Sequence, residues 1–251
     1  MNTKRTEKKN FFLKDEYSKW RLKAVNTLII SCFTGLFRVY RMDSTHTAVE
    51  YLAGLLHCEK GQENMERMTE KVEDSDYKRY IHFLSVSNWS ASEVNNATLK
   101  ATDNLLREQK KKSGFPTGLV ITISEKTKFS LSNGHIQEYS NKEWAYFQCS
   151  RYWVERCFDD CKNELGMSGY QVTGWLAWQH HMALVLMASL YILNIKLQEQ
   201  EEIPLLSVRD ARLLVIAINF ATQKEVDLCL EHIRIRHRKR QADIDRYYLK
   251  I

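Results

Sequence analysis

The residue types best able to do chemistry in this 251-residue chain gather between Arg151 and Ile195. Arg151, Glu155 and Lys162 stand four and seven residues apart, so at about 100° per residue they fall within roughly 40° on one helical face. Tyr152, Val154, Phe158, Cys161 and Leu165 recur at helical steps and are expected to pack the opposite side of the helix against a core. Glu155 would then be a carboxylate held in place beside a buried scaffold. For an isolated triplet of this kind the ordinary account is an ion pair between Glu155 and Arg151 on a surface helix.

Other groups are weaker candidates. His180 and His181 are adjacent, so they point in different directions and cannot form a one-face pair of metal ligands; a core histidine plus a packing neighbour is the better reading. The cysteines Cys32, Cys58, Cys149, Cys157, Cys161 and Cys229 form no CxxC pair, which argues against a zinc site and for reduced thiols. Arg234, Arg236, Arg238, Lys239 and Arg240, with His237, are the densest cationic run. Lys78 and Arg79 beside Tyr80 are a smaller one. Each suits phosphate contact, and each equally suits a solvated helix face. Residues 1–23 carry eight Lys or Arg against three acids, interleaved with Phe11, Phe12, Tyr17 and Trp20, and carry the same two readings.

The elements that must position these groups read as mainly helical. Nine Gly and two Pro are few for a sheet-rich chain with many tight turns, and 44% hydrophobic residues suffice for a core. The net charge of +6 permits a polyanionic partner without demanding one. Ser44 or Thr45 is expected to cap a helix bearing Val49, Leu52, Leu55 and Leu56, and Asp74 or Ser75 to cap one bearing Tyr77, Tyr80, Ile81 and Leu84. Ser90 with Glu93 and Ser207 with Asp210 have capping-box spacing. Leu119–Ser124 and Lys128–Leu131 read as two short strands, and Glu199 to Pro204 as a solvated break. Ala24 to Tyr40 is too short and polar to span a bilayer, and Met182 to Ile195 has the length of a buried core helix, so no membrane span is expected.

Arg151, Glu155 and Lys162, followed by ELGM at Glu164 to Met167, Tyr170, Gln171, Trp175, Trp178, His180 and His181, resemble bacterial insertion-sequence transposases of the DDE class. The likeness extends to YLAGLL at Tyr51 to Leu56, to Asn64 to Ser85 and to Trp89. It implies an RNase H-like core in which Glu155 and two aspartates hold Mg2+ or Mn2+ for DNA cleavage and strand transfer. Where the family has Tyr three residues before the Arg, Gln148 stands here. SGFP at Ser113 to Pro116 resembles the segment after the first catalytic Asp, but Lys111 and Lys112 occupy the places of the acids, and an ammonium cannot ligate a cation. KFSLSN at Lys128 to Asn133 resembles a hairpin that in the family lies far downstream of SGFP, so most of the central sheet is missing.

The resemblance therefore implies an internally deleted transposase: mainly α with a small β-hairpin, a helical N-terminal domain over 1–112 and a truncated RNase H-like part over 113–251. Glu155, Arg151 and Lys162 would be a vestigial catalytic site, with Glu155 the only metal ligand and no metal bound productively. Lys78, Arg79, Arg234, Arg236, Arg238, Lys239 and Arg240 would contact DNA. The expected setting is the bacterial cytoplasm. Expected partners are double-stranded DNA and an intact transposase or a second copy of the chain, with no membrane. The alternative is a non-catalytic DNA-binding module acting at element ends or with an intact transposase.

Overall fold

A computed structural model describes residues 32–33, 35–58, 63–72, 74–113, 140–198, 206–220 and 223–248. Within them lie a two-stranded antiparallel hairpin, β1 (Arg38–Val39) and β2 (Met42–Asp43), and eight helices. These are α1 (Thr45–His57), α2 (Met65–Lys71), α3 (Tyr77–Ser85), α4 (Ala91–Ser113), α5 (Asn141–Glu164), α6 (Trp175–Gln198), α7 (Val208–Phe220) and α8 (Gln223–Tyr248).

The helix starts follow local capping chemistry. Asn64 accepts from Arg67 N at 2.9 Å at the head of α2, and Asp76, one or two residues beyond the expected cap, accepts from Arg79 N at 2.8 Å at the head of α3. Ser90 Oγ accepts from Glu93 N at 3.2 Å. At the head of α5, Ser140 and Glu143 form a reciprocal capping box that satisfies two otherwise orphaned donors. Ser44 makes no side-chain cap at α1; instead Asp43 accepts from Thr45 N at 3.0 Å.

Helix α6 organises the core. Its sequence is apolar on nearly every side, which only a helix surrounded by others tolerates, and it packs against α1, α3, α4 and α7. It runs from Trp175 to three residues past Ile195, where the apolar run of the sequence stops. By length and composition alone it could cross a membrane, but 61% of its most apolar window is buried inside the fold. Phe37, Phe83, Trp89 and His180 form an aromatic stack, with Trp89 lying 3.7 Å from the His180 ring at 16°. Buried residues from Phe33 to Val94 and from Cys161 to Ile233 belong to one cluster, so the helices before and after residue 113 share a core.

Two reversals of the chain hold the C-terminal end of α5. Gly166 takes φ +77, a left-handed conformation that suits glycine, and stops the helix. A Cβ on Gly169 would run into the Glu63 carbonyl, so glycine permits the loop to close on the segment before α2.

This architecture corrects the family expectation. Among the described residues the only sheet is the hairpin at 38–43, and no RNase H-like sheet underlies α5. The C-terminal end of α5 docks on helices α6 and α7 instead. The chain is mainly α-helical, and the truncated RNase H-like part is absent from that description. The strands expected at Leu119–Ser124 and Lys128–Leu131, the basic start at 1–23, and the break at Glu199 to Pro204 lie outside the described residues. Lys111 and Lys112 fall in the last turn of α4.

Candidate functional site

Helix α5 carries the triplet that drew attention in the sequence. Arg151 Nε donates to Glu155 Oε1 at 2.9 Å, and both side chains are largely solvent-exposed. Lys162 is exposed in the last turn of the helix. The three do lie on one side of a helix, as their spacing requires, but Glu155 faces a guanidinium and no second carboxylate. Asp159 and Asp160 are engaged by Arg156, at 3.6 and 3.0 Å. Among the described residues, no group of three or more His, Cys, Asp or Glu is gathered to hold a metal ion. The one carboxylate at the centre, Glu155, is already engaged by Arg151, so the donor set does not fit the pair of Mg2+ or Mn2+ ions that such chemistry uses. The expected descent from a metal-dependent DNA-cleaving enzyme is overturned by this and by the missing sheet.

The apolar stripe of α5 behaves differently at its two ends. Cys161 and Leu165 are 1% exposed, in the core, whereas Val154 and Phe158 are 55% and 51% exposed. Tyr152 and Trp153 are 60% and 55% exposed and meet edge to face with centroids 5.3 Å apart. All nine residues from Arg151 to Asp159 are exposed. The periodicity that predicted packing is real, yet over this stretch the apolar side chains stay more than half exposed. Trp175 and Trp178, at the head of α6, form a second exposed aromatic pair, stacked 4.9 Å apart.

The cations of α8 divide by direction. Arg236 and Arg240 turn inward and reach Asp210 Oδ1 and Oδ2 at 2.8 and 2.7 Å. Burial would raise the Asp210 carboxyl, but the Arg240 and Ser207 hydrogen bonds and the charges of both arginines hold it below its ordinary value. Arg234, Arg238 and Lys239 are exposed. On α3 the same sorting holds: Arg79 donates to both oxygens of buried Glu50 at 2.7 and 2.9 Å, while Lys78 is exposed. Arg79, Arg236 and Arg240, three of the seven side chains expected to contact DNA, are thus half-exposed and ion-paired to buried carboxylates.

Sequence reasoning missed the buried polar centre between α1, α5, α6 and α7. Arg212 Nη1 donates to Glu63 Oε1 at 3.2 Å and to the Glu164 carbonyl at 2.8 Å, and all three residues are buried. Burial, then the nearby Arg212 charge, pushes His57 down to about 3. His181 Nε2 lies 3.0 Å from the Gly166 carbonyl and Nδ1 lies 2.9 Å from the Tyr51 hydroxyl. A carbonyl only accepts, so Nε2 carries the proton and Nδ1 accepts from Tyr51. Burial pulls His181 down to about 4 against that carbonyl. Both ring nitrogens of His180 face carbonyls, of Leu84 at 2.7 Å and Trp89 at 2.8 Å, and burial still draws its pKa below the ordinary value. Both adjacent histidines are core residues. The residues that carried the family likeness, Glu164, Gly166, His180 and His181, are therefore accounted for by packing and turn geometry.

Compared with known proteins, the chain matches no family model, no curated protein and no solved structure.

Proposed function

We propose that the chain is a helical association module that joins a second copy of itself through α5. The observation that carries this is the continuity of one stripe: Val154, Phe158, Cys161 and Leu165 fall within about 60° of each other around the helix. The last two are core and the first two are bare. Spacings of four, three and four residues are those of a coiled-coil seam. Arg151, Glu155 and Lys162 flank that stripe, and a flank bearing both signs is self-complementary when two such helices run antiparallel.

Light scattering after size exclusion tests it. The chain should elute with the mass of two copies. Val154→Ser with Phe158→Ser should elute as one copy at unchanged helicity, because each side chain withdraws on the order of 1.5–3 kcal/mol of burial per copy. A single-copy mass for the unaltered chain at high concentration overturns the reading.

A second reading, contact with the phosphates of double-stranded DNA, is favoured by the outward Arg234 and Arg238, on the side of α8 away from Asp210, and by exposed Lys239 and Lys78. It ranks second because Asp227, Glu231 and Asp245 lie within about 60° of the same stripe and repel phosphate. A titration with duplex DNA at two salt concentrations checks it: binding should weaken with salt and be lost in Arg234→Ala with Arg238→Ala, and salt-independent or undetectable binding rejects it.

A further inference from the structure

The thiols of Cys157 and Cys161 lie one turn apart on α5, at the place where the helix passes from solvent into the core. Cys157 is exposed and Cys161 is buried. One sulfur thus faces water, and the other lies one turn further on, at the edge of the core. We infer that Cys157 and Cys161 form a peroxide-sensitive dithiol, with Cys157 the attacking sulfur and Cys161 the resolving one.

The chemistry closes with a hydroperoxide as oxidant. The Cys157 thiolate attacks the distal peroxide oxygen, the O–O bond breaks, and the departing oxygen takes a proton and leaves as water or an alcohol. Cys157 is left as a sulfenic acid. The Cys161 sulfur then attacks Cys157 Sγ, the S–O bond breaks, and water leaves with the Cys161 proton. Two electrons pass from the thiols to the peroxide, and one disulfide forms.

The surroundings separate the two roles. Cys157 meets solvent, where a peroxide reaches it, whereas Cys161 lies in the core one turn behind. Interaction between the two thiols draws Cys157 below its ordinary value, against burial and the Asp160 charge, and pushes Cys161 up. Helical neighbours four apart hold their Cβ atoms about 5–6 Å apart, and a disulfide needs about 3.5–4.5 Å. Closing the bond therefore tightens that turn and draws Cys161 away from the core. Oxidation is read as a loosening of α5 from α6, whether or not the chain pairs with a second copy.

The test uses the full reduced chain. After hydrogen peroxide and alkylation, intact and peptide mass spectrometry should show an unalkylated 157/161 pair, lighter by two hydrogens. Cys161→Ser should instead accumulate a sulfenic acid on Cys157 that dimedone captures, and Cys157→Ser, an exposed change that leaves the core intact, should abolish both products. Both thiols fully alkylated after a dose that oxidises free cysteine would overturn the inference. So would a disulfide from Cys157 to any other cysteine, or dimedone capture unchanged in Cys157→Ser.

Discussion

At the scale of single residues, the fold depends on charges and imidazoles taken out of water and paired. His181 and His57 have folded pKa values of about 4 and about 3, below the ordinary 6.5. Between these values the unfolded chain binds more protons than the folded one. Stability is therefore full above pH 6.5 and falls on acidification toward pH 4, by ~1.4 kcal/mol per pH unit for each histidine once it is charged in the unfolded chain. Urea unfolding across that range checks the sign, and stability that rises on acidification would contradict it. Arg212→Met leaves the Glu63 carboxylate buried without its cation and should cost ~3–5 kcal/mol, read as a lowered urea midpoint; a change within error would show that Glu63 is not charged there. These pairs were not legible in the sequence. Glu63 and Arg212 stand 149 residues apart, and nothing local marks either as buried. Ser207 and Asp210, three apart, were legible as a capping box, but not the two arginines that Asp210 draws from α8.

At the scale of elements, helix α5 shows what periodicity can and cannot tell. The spacing of Val154, Phe158, Cys161 and Leu165 marks an apolar side, and it is the right side at Cys161 and Leu165. Whether the covering surface comes from the same chain is not written in the period. The charged flank gives a test of pairing and its direction. Glu155→Lys alone should dissociate the pair, and mixing that chain with Arg151→Glu, Lys162→Glu chains should restore it as a mixed dimer. Native mass spectrometry distinguishes these species. Equal self-association of all three chains would show that the flank takes no part. The start of α5 is set by Ser140 and Glu143, so Ser140→Ala should cost ~1 kcal/mol and fray the first turn, seen as faster amide exchange there; unchanged exchange would mean that the helix is held by something else.

At the scale of the whole molecule, the helical character was readable from the scarcity of Gly and Pro and from the capping signals, whereas the architecture was not. Three residues at helical spacing satisfy a local geometry that any amphipathic helix supplies, so Arg151, Glu155 and Lys162 could suggest a catalytic helix without a sheet behind it. The longer run through Glu164, Gly166, His180 and His181 is explained by the closing turn of α5 and the buried centre of α6. The fold is built around α6, an apolar helix whose neighbours come from both halves of the chain. What it leaves outside is the apolar stripe of α5 at Val154 and Phe158, and the account stands on the use of that surface.

Sedimentation of the unaltered, reduced chain through a hundredfold dilution series tests this most directly. The account predicts a two-copy species that dissociates reversibly on dilution and is missing from Val154→Ser with Phe158→Ser. A single-copy species at every concentration, with the same behaviour in the double variant, would contradict it.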